Sequence, residues 1–355
     1  MAAKRLLILS RYSRLGASSR LRTLQYIPYL QAAGLQVDVA SFFDDAYLKA
    51  LYSGRRSWAG SAKYFLGRIS QLISASKADV LWIEKEALPW IPWAIESLLW
   101  PRDVPVVTDY DDAVFHYYDS HRNPAVRDLL GDKIDNVMNR SAVVLAGNEY
   151  LASRARAAGA KRVEIVPTVV NTDVYRCQPA TSSDGRTRIG WVGTPVTWAK
   201  YGEPLVPLLQ DVMSQSHSVF RAIGAAQPEV PLANFEFLEW SEAREIQLIQ
   251  GIDIGIMPLE DTPFARGKCG YKLIQYMACG LPVVASPVGV NSRIVIKNEN
   301  GFLASTEREW RDSINALLSD HNLRKRMGDA GRRRVEAHYS IDVYGPRVAN
   351  IIAEL

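Results

Sequence analysis

Short apolar runs alternate with longer stretches of helical periodicity along most of the chain. Leu6–Ser10 (LLILS), Leu35–Phe42 (LQVDVASF), Val104–Thr108, the start of Ser141–Gly159 and the start of Val163–Tyr175 form one series of such runs. Ile189–Thr194, Phe235–Leu238, Ile252–Leu259 and Pro282–Ser286 form a second. Runs of this length bounded by turn residues read as strands buried on both faces, and their alternation with helices predicts βαβ units and parallel sheets. The stretch Phe264–Asn291 (FARGKCGYKLIQYMACGLPVVASPVGVN) shows the unit most clearly. Leu273, Ile274, Met277 and Ala278 share one helical face, Gly280 stands where a left-handed residue closes a helix, and Pro282 bars continuation. A helix joining two such strands is a parallel crossover. Further helices are predicted over Trp310–Leu318 and Tyr344–Leu355.

The alternation breaks at 178–188 (QPATSSDGRTR), which is polar and has no apolar period. It reads as a linker between a domain at 1–177 and one at 189–338, followed by a terminal helix at 339–355. A chain of 355 residues is long enough for two cores. An apolar fraction of 48% with 23% charged residues is that of an ordinary globular protein, and a net charge of +4 is too small to argue for nucleic acid. Cys177, Cys269 and Cys279 are too few and too scattered for a disulfide framework or a zinc site, which fits a reducing cytosol. The start MAAKRLLILS does not read as a signal peptide, because Arg11 and Arg14 follow its short apolar run; no stretch reaches membrane-spanning length without a charge or proline.

Candidate chemistry gathers at the ends of the runs. Arg266, Lys268 and Lys272 cluster at the N-terminal turn predicted for the crossover helix, where the dipole disfavours cations unless an anion binds. Gly267 and Gly270 would allow that anion to approach the backbone; a solvated basic loop is the blander reading. Asp109, Asp111, Asp112 and His116 follow the strand at Val104–Thr108, the end of a parallel strand at which ligands collect. Asp109 and Asp111 make an Asp-x-Asp pair that invites a metal, and a lone histidine is more often structural. Gly16 alone cannot make the dinucleotide fingerprint, which disfavours an NAD enzyme. Arg20 and Arg22 suit a phosphate group, or equally a solvated helix face. Trp240 could stack on a base or pack in the core. Phe65, Ile69, Leu72 and Ile73 with Arg55, Arg56, Lys63 and Arg68, and the tryptophans at 90, 93 and 100, fit an anionic membrane surface or a core stripe with a basic outer face. The cluster Arg332–Arg334 reads as a solvated face.

The run GYKLIQYMACGLPVVAS, followed by Gly289 and by NGFLA at Asn300–Ala304, resembles the C-terminal signature of the retaining glycosyltransferases of family 4, a group that includes enzymes of bacterial polysaccharide and O-antigen synthesis. The resemblance spans most of the chain. It implies the GT-B fold, with an acceptor-side and a nucleotide-sugar-binding Rossmann-like domain facing across a cleft and a terminal helix returning to the first. It also implies transfer, with retention, from a nucleoside-diphosphate sugar to a glycan or polyprenyl-linked acceptor. No cofactor or metal is implied, and the expected location is the cytoplasm, peripheral on the inner membrane face.

The family pattern also assigns roles. Gly16 matches the loop that meets the donor diphosphate, and Lys200 a lysine on that diphosphate. Thr194, directly after Gly193, stands where an arginine is usual, and Asp109–Asp112 where a histidine is usual. Two glutamates eight positions apart, one on the sugar and one on the ribose, are replaced by Gly267 and Gln275; Glu260 and Asp261 are placed to hold sugar hydroxyls instead. Lys200, Lys268 and Lys272, with Asp111 and Asp112, are the expected catalytic groups. A same-fold epimerase or phosphorylase, or a subunit that has lost chemistry, is the alternative.

Overall fold

The computed structural model describes residues 3–52, 61–177 and 184–355. The chain divides into two compact units. The first comprises Met1–Thr168, Arg266–Cys269 and Asp342–Leu355, and the second Val169–Ala265 and Gly270–Ile341. Of the polar run at 178–188, residues 178–183 lie outside those described.

The first unit holds β1 (Lys4–Tyr12), β2 (Leu35–Phe43), β3 (Val80–Glu84), β4 (Val106–Tyr110), β5 (Val143–Ala146) and β6 (Val163–Ile165) in one sheet of order β2-β1-β3-β4-β5-β6. Every pairing is parallel. β3, β4 and β5 are buried at every position, as the unbroken apolar runs require of strands covered on both faces. The chain runs outward from β1 to β2 and then returns to β3, so the topological switch point lies at the carboxyl ends of β1 and β3. Residues from the end of the chain complete this unit. Lys4 Nζ donates to the carbonyl of Ala353 at 3.0 Å, Tyr29 Oη to Asp342 at 2.9 Å, and Arg162 pairs with Glu354 at 3.1 Å. In the helix Ile341–Ala353, Gly345 lies against the ring of Tyr29, where a Cβ would come within 2.6 Å.

The second unit repeats the plan with β7 (Thr187–Val192), β8 (Ser218–Ile223), β9 (Phe235–Leu238), β10 (Ile254–Met257), β11 (Val283–Ala285) and β12 (Gly301–Leu303) in the order β12-β11-β10-β7-β8-β9, again all parallel. The crossover between β10 and β11 differs from the single helix predicted. A short helix, Pro263–Arg266, ends before the turn Gly267–Gly270, and a second, Tyr271–Ala278, carries the buried face Leu273, Ile274, Met277 and Ala278. Gly280 closes it at φ +75°. The basic run after residue 320 is the helix His321–His338, packed closely on that element: a Cβ at Gly328 would overlap the Gly280 carbonyl, and one at Gly331 would meet Met277 at 2.9 Å. Arg332 is therefore no solvated side chain. It donates to the carbonyls of Thr172 (2.9 Å), Ala278 (2.6 Å) and Tyr175.

Candidate functional site

In the second unit the turn before Tyr271–Ala278 decides which cations share the helix start. Gly270 sits at φ +65°, where a Cβ would also meet Ile294 at 2.3 Å, so both backbone and space demand glycine. Lys272 occupies the first turn with its Nζ 4.3 Å from the centre of the Trp191 ring at the end of β7, a cation–π contact that offsets the unfavourable dipole. Arg266 ends the preceding short helix, where positive charge is favoured, and the stretch Arg266–Cys269 belongs to the first unit. After β7, Gly193 leads into Thr194, which exchanges hydrogen bonds with Thr197 in a capping box. The chain then makes a wide turn over Trp198–Gly202 that leaves Lys200 exposed, its Nζ 5.2 Å from the Tyr201 ring. Glu260 and Asp261 are exposed just after β10.

Gln275 is buried on the same helix. Its Nε2 donates to Glu245 Oε1 at 3.0 Å and to the Tyr175 hydroxyl at 2.9 Å, while Tyr175 donates to the same carboxylate oxygen at 2.6 Å. The other oxygen of Glu245 accepts from Trp240 Nε1 at 2.7 Å, so the half-buried indole is held at its polar edge. Burial and the neighbouring Tyr271 and Glu245 push the Tyr175 hydroxyl far above its ordinary pKa. Sequence reading passed over Glu245. It is the first residue of the helix Glu245–Gln250, where an acid is unremarkable for the dipole alone.

In the first unit, buried charge collects at the switch point. The Arg22 guanidinium forks onto Asp109, with Nε and one terminal nitrogen each 2.8 Å from an oxygen, and its third nitrogen donates to the Val166 carbonyl at 2.7 Å. Arg22 is thus a buried ion-pair partner and not part of a solvated helix face. Arg20 is also mostly buried and reaches the Arg14 carbonyl at 3.3 Å. Burial pushes the Asp109 carboxyl up to about 6 against the pull of Arg22. Burial would raise Asp111 too, but Lys85 at 2.9 Å, Arg22 and a hydrogen bond from Ser18 at 2.8 Å hold it down at about 2. Asp112 is raised by burial, against Lys268 at 3.6 Å.

The residues at the end of β3 and just after it were missed by sequence reading. Glu84 accepts from Ser19 (2.5 Å) and the Arg11 amide (2.8 Å), and the Ser18 hydroxyl oxygen lies 2.8 Å from it. Lys85 holds φ +66°, a left-handed conformation unfavourable for a side chain. Glu86 pairs with Lys133 at 2.7 Å and Arg11 at 3.2 Å. The signal was available, because Glu84-Lys85-Glu86 directly follows an apolar run.

Gly267 has a packing reason. A Cβ there would lie 2.5 Å from that of Ala113 and 2.9 Å from its nitrogen, while Asn148 Nδ2 binds the carbonyls of Gly267 and Lys268 at 2.8 and 3.1 Å. Gly16 precedes the helix Ala17–Arg22 and leaves room for Tyr12, whose Cβ would be 2.4 Å from an added one. Both ring nitrogens of His116 are engaged, Nδ1 with Asp119 and Nε2 with the Tyr150 hydroxyl, each at 2.8 Å. Among the described residues no group of three or more His, Cys, Asp and Glu side chains is placed to hold a metal.

The helix Ser61–Ser74 sorts the basic apolar stripe. Leu72 and Arg68 are buried, Arg68 donating to the Ser10 carbonyl at 2.7 Å, and Phe65 and Ile69 pack on the core. Leu66 and Ile73 are 68% and 66% exposed. Arg55 and Arg56 lie outside the described residues. Trp100 is buried against Trp93, and Trp90 is half-exposed. Among the described residues no helix is long and apolar enough to cross a membrane.

Residues 226–334 match the family model described as glycosyl transferases group 1. Spore coat protein SA of Bacillus subtilis (strain 168) is 32% identical over 66 residues, an alignment covering 18% of this chain and 18% of that protein. Sucrose-phosphate synthase from Thermosynechococcus elongatus superposes with a TM-score of 0.73 at 14% identity, over 99% of this chain and 98% of that one. The Anabaena protein HepE, in complex with UDP and glucose, superposes with a TM-score of 0.72 at 17% identity, over 99% and 100%.

Proposed function

We propose that this protein, a glycosyltransferase of the GT-B fold by its likenesses and of group 1 by the match over 226–334, moves a sugar from a nucleoside-diphosphate donor to a glycan or lipid-linked acceptor with retention at the anomeric carbon. Cell-surface polysaccharide synthesis is the setting this reading favours, with the protein in the cytoplasm. The match over 226–334 carries the proposal, because that one region takes in Trp240, Glu245, Lys272 and Gln275. In this reading Trp240 carries the base and Gln275 accepts from ribose hydroxyls. The bond between the anomeric carbon and the β-phosphate oxygen breaks as the acceptor oxygen bonds to that carbon. Negative charge grows on the departing diphosphate, where Lys272, Lys200 and the first-turn amides of Tyr271–Ala278 lower the barrier more than they tighten ground-state binding. Lys268 is committed to Asp112 in the first unit. There Asp111, held at about 2, stays ionised as the orienting partner of Lys85, and Asp112, raised by burial, is the better proton acceptor.

The test is a thermal-shift panel of UDP, GDP, ADP, CDP and dTDP, in which a ligand at 100 times its Kd adds about 2.7 kcal/mol. Acceptor-dependent release of the selected nucleoside diphosphate and the anomeric coupling constant of the product follow. A panel with no stabilising nucleotide would overturn the reading, and an inverted product would overturn retention.

A further inference from the structure

The geometry points to Glu245 as the positioning residue of the nucleoside subsite: one buried carboxylate orients both Trp240 and the amide of Gln275, so that Gln275 presents its carbonyl oxygen, and never its nitrogen, to the ligand. The inference rests on the nucleotide-sugar reading above and deepens it.

A carboxylate only accepts hydrogen bonds, whereas a carboxamide donates from nitrogen and accepts at oxygen. Glu245 Oε1 lies 3.0 Å from one end of the Gln275 amide and 2.6 Å from the Tyr175 hydroxyl oxygen, and Tyr175 in turn lies 2.9 Å from the same end of Gln275. Because Tyr175 donates its proton to Glu245, its remaining capacity toward Gln275 is as an acceptor. Two acceptors therefore face one end of the amide, and only the NH₂ end with its two hydrogens satisfies both. The opposite orientation would set the amide oxygen against a carboxylate oxygen in a buried site, an unmade hydrogen bond and a repulsion together.

The amide oxygen then offers its lone pairs as an ionised acid would, without a second negative charge. Position 275 can hold an amide because the acid stands at 245. The same carboxylate fixes the indole edge of Trp240 at 2.7 Å. Base platform and hydroxyl acceptor thus share one anchor, although Trp240 follows β9, Glu245 opens the next helix and Gln275 lies on the crossover helix.

The test compares UDP with its 2′-deoxy and 3′-deoxy forms by calorimetry, or the corresponding forms of whichever nucleoside diphosphate the panel selects. In the unmodified protein, removal of the hydroxyl that Gln275 accepts is expected to weaken binding about 3- to 10-fold, the range for one hydrogen bond between neutral groups. Glu245→Gln should bring that ratio close to one while the diphosphate still binds, since the Gln275 amide is then free to turn. Gln275→Glu should weaken binding of the unmodified nucleotide, because two carboxylates would meet at hydrogen-bonding distance. The double exchange E245Q/Q275E should restore both affinity and ribose discrimination, which mere structural damage at either position would not do. If Glu245→Gln does not fold, the double exchange E245Q/Q275E, which keeps one carboxylate in the site, carries the readout. Equal binding of all three forms by the unmodified protein overturns the inference. So does a deoxy ratio unchanged in the variants, or a double exchange no better than Q275E alone. Should no nucleoside diphosphate bind the unmodified protein, the proposed function fails and the inference falls with it.

Discussion

Replacing Arg22 by alanine separates a phosphate ligand from a structural ion pair. In the fold, Arg22 satisfies both oxygens of Asp109 at 2.8 Å and the Val166 carbonyl at 2.7 Å, and both side chains are 1% exposed. Arg22→Ala leaves a carboxylate and a carbonyl without their donors in a site that water barely reaches. Breaking a buried pair from one side costs about 3–5 kcal/mol. At roughly 2–4 °C per kcal/mol for a unit of this size, the melting transition should fall by about 6–20 °C. The loss should depend on pH with a definite sign. Burial already holds the folded Asp109 carboxyl at about 6. The unfolded value is near 3.9, so the stability this group contributes is full below that value and is lost as pH rises through the folded one. Removing Arg22 raises the folded value further, so the variant should be closest to the unmodified protein near pH 5 and furthest from it near pH 8. Differential scanning calorimetry at the two pH values reads both effects. A variant that melts within about 2 °C of the original at pH 8, yet binds nucleoside diphosphate or acceptor much more weakly, would show that Arg22 serves a ligand and that the ion-pair reasoning is wrong.

Four further outcomes are expected. Gly267→Ala should destabilise by about 1–3 kcal/mol in urea, because its Cβ must displace Ala113; an unchanged midpoint would contradict the close packing. Lys272→Ala and Lys200→Ala should each lower turnover about 100- to 1,000-fold with folding intact, and His116→Ala should lower it less because its ring is engaged by Asp119 and Tyr150; steady-state kinetics decides the order. Turnover should survive EDTA, and activity that vanishes and returns with Mg²⁺ or Mn²⁺ would refute metal-independent transfer. The exposed Leu66 and Ile73, on one helix with Lys63, should carry the protein onto anionic vesicles at low salt; if nothing pellets, those side chains serve no membrane.

Strand positions were legible where a parallel strand is buried on both faces and so appears as an unbroken apolar run, as at Ile254–Met257, whereas the strands Val80–Glu84 and Ser218–Ile223 were passed over. The helix after β10 was legible in its apolar face and not in its start. Periodicity cannot show that Gly270 takes φ +65° and divides the element. Partnership was the least legible property. Arg22, Arg68 and Arg332 look like surface arginines in a string of letters, and each is committed to carbonyls or a carboxylate brought from far along the chain. Glu245 escaped notice for the same reason: its three donors come from positions 175, 240 and 275.

The composition of the first unit bears on how the protein is made. Its sheet is encoded before residue 169, but Asp342–Leu355 also belongs to it, and those residues leave the ribosome only after the whole of the second unit has been synthesised. At about 5–20 residues per second, the partly built unit waits on the order of ten seconds or more for its C-terminal helix. During that interval Lys4, Tyr29 and Arg162 lack the C-terminal partners they have in the finished fold. The second unit can close in the meantime. Ribosome stalling or a stop codon near residue 340 would accordingly release a chain whose early-made half is the unstable one, and protease sensitivity should map to residues before 169 although the missing piece lies at the opposite end of the sequence.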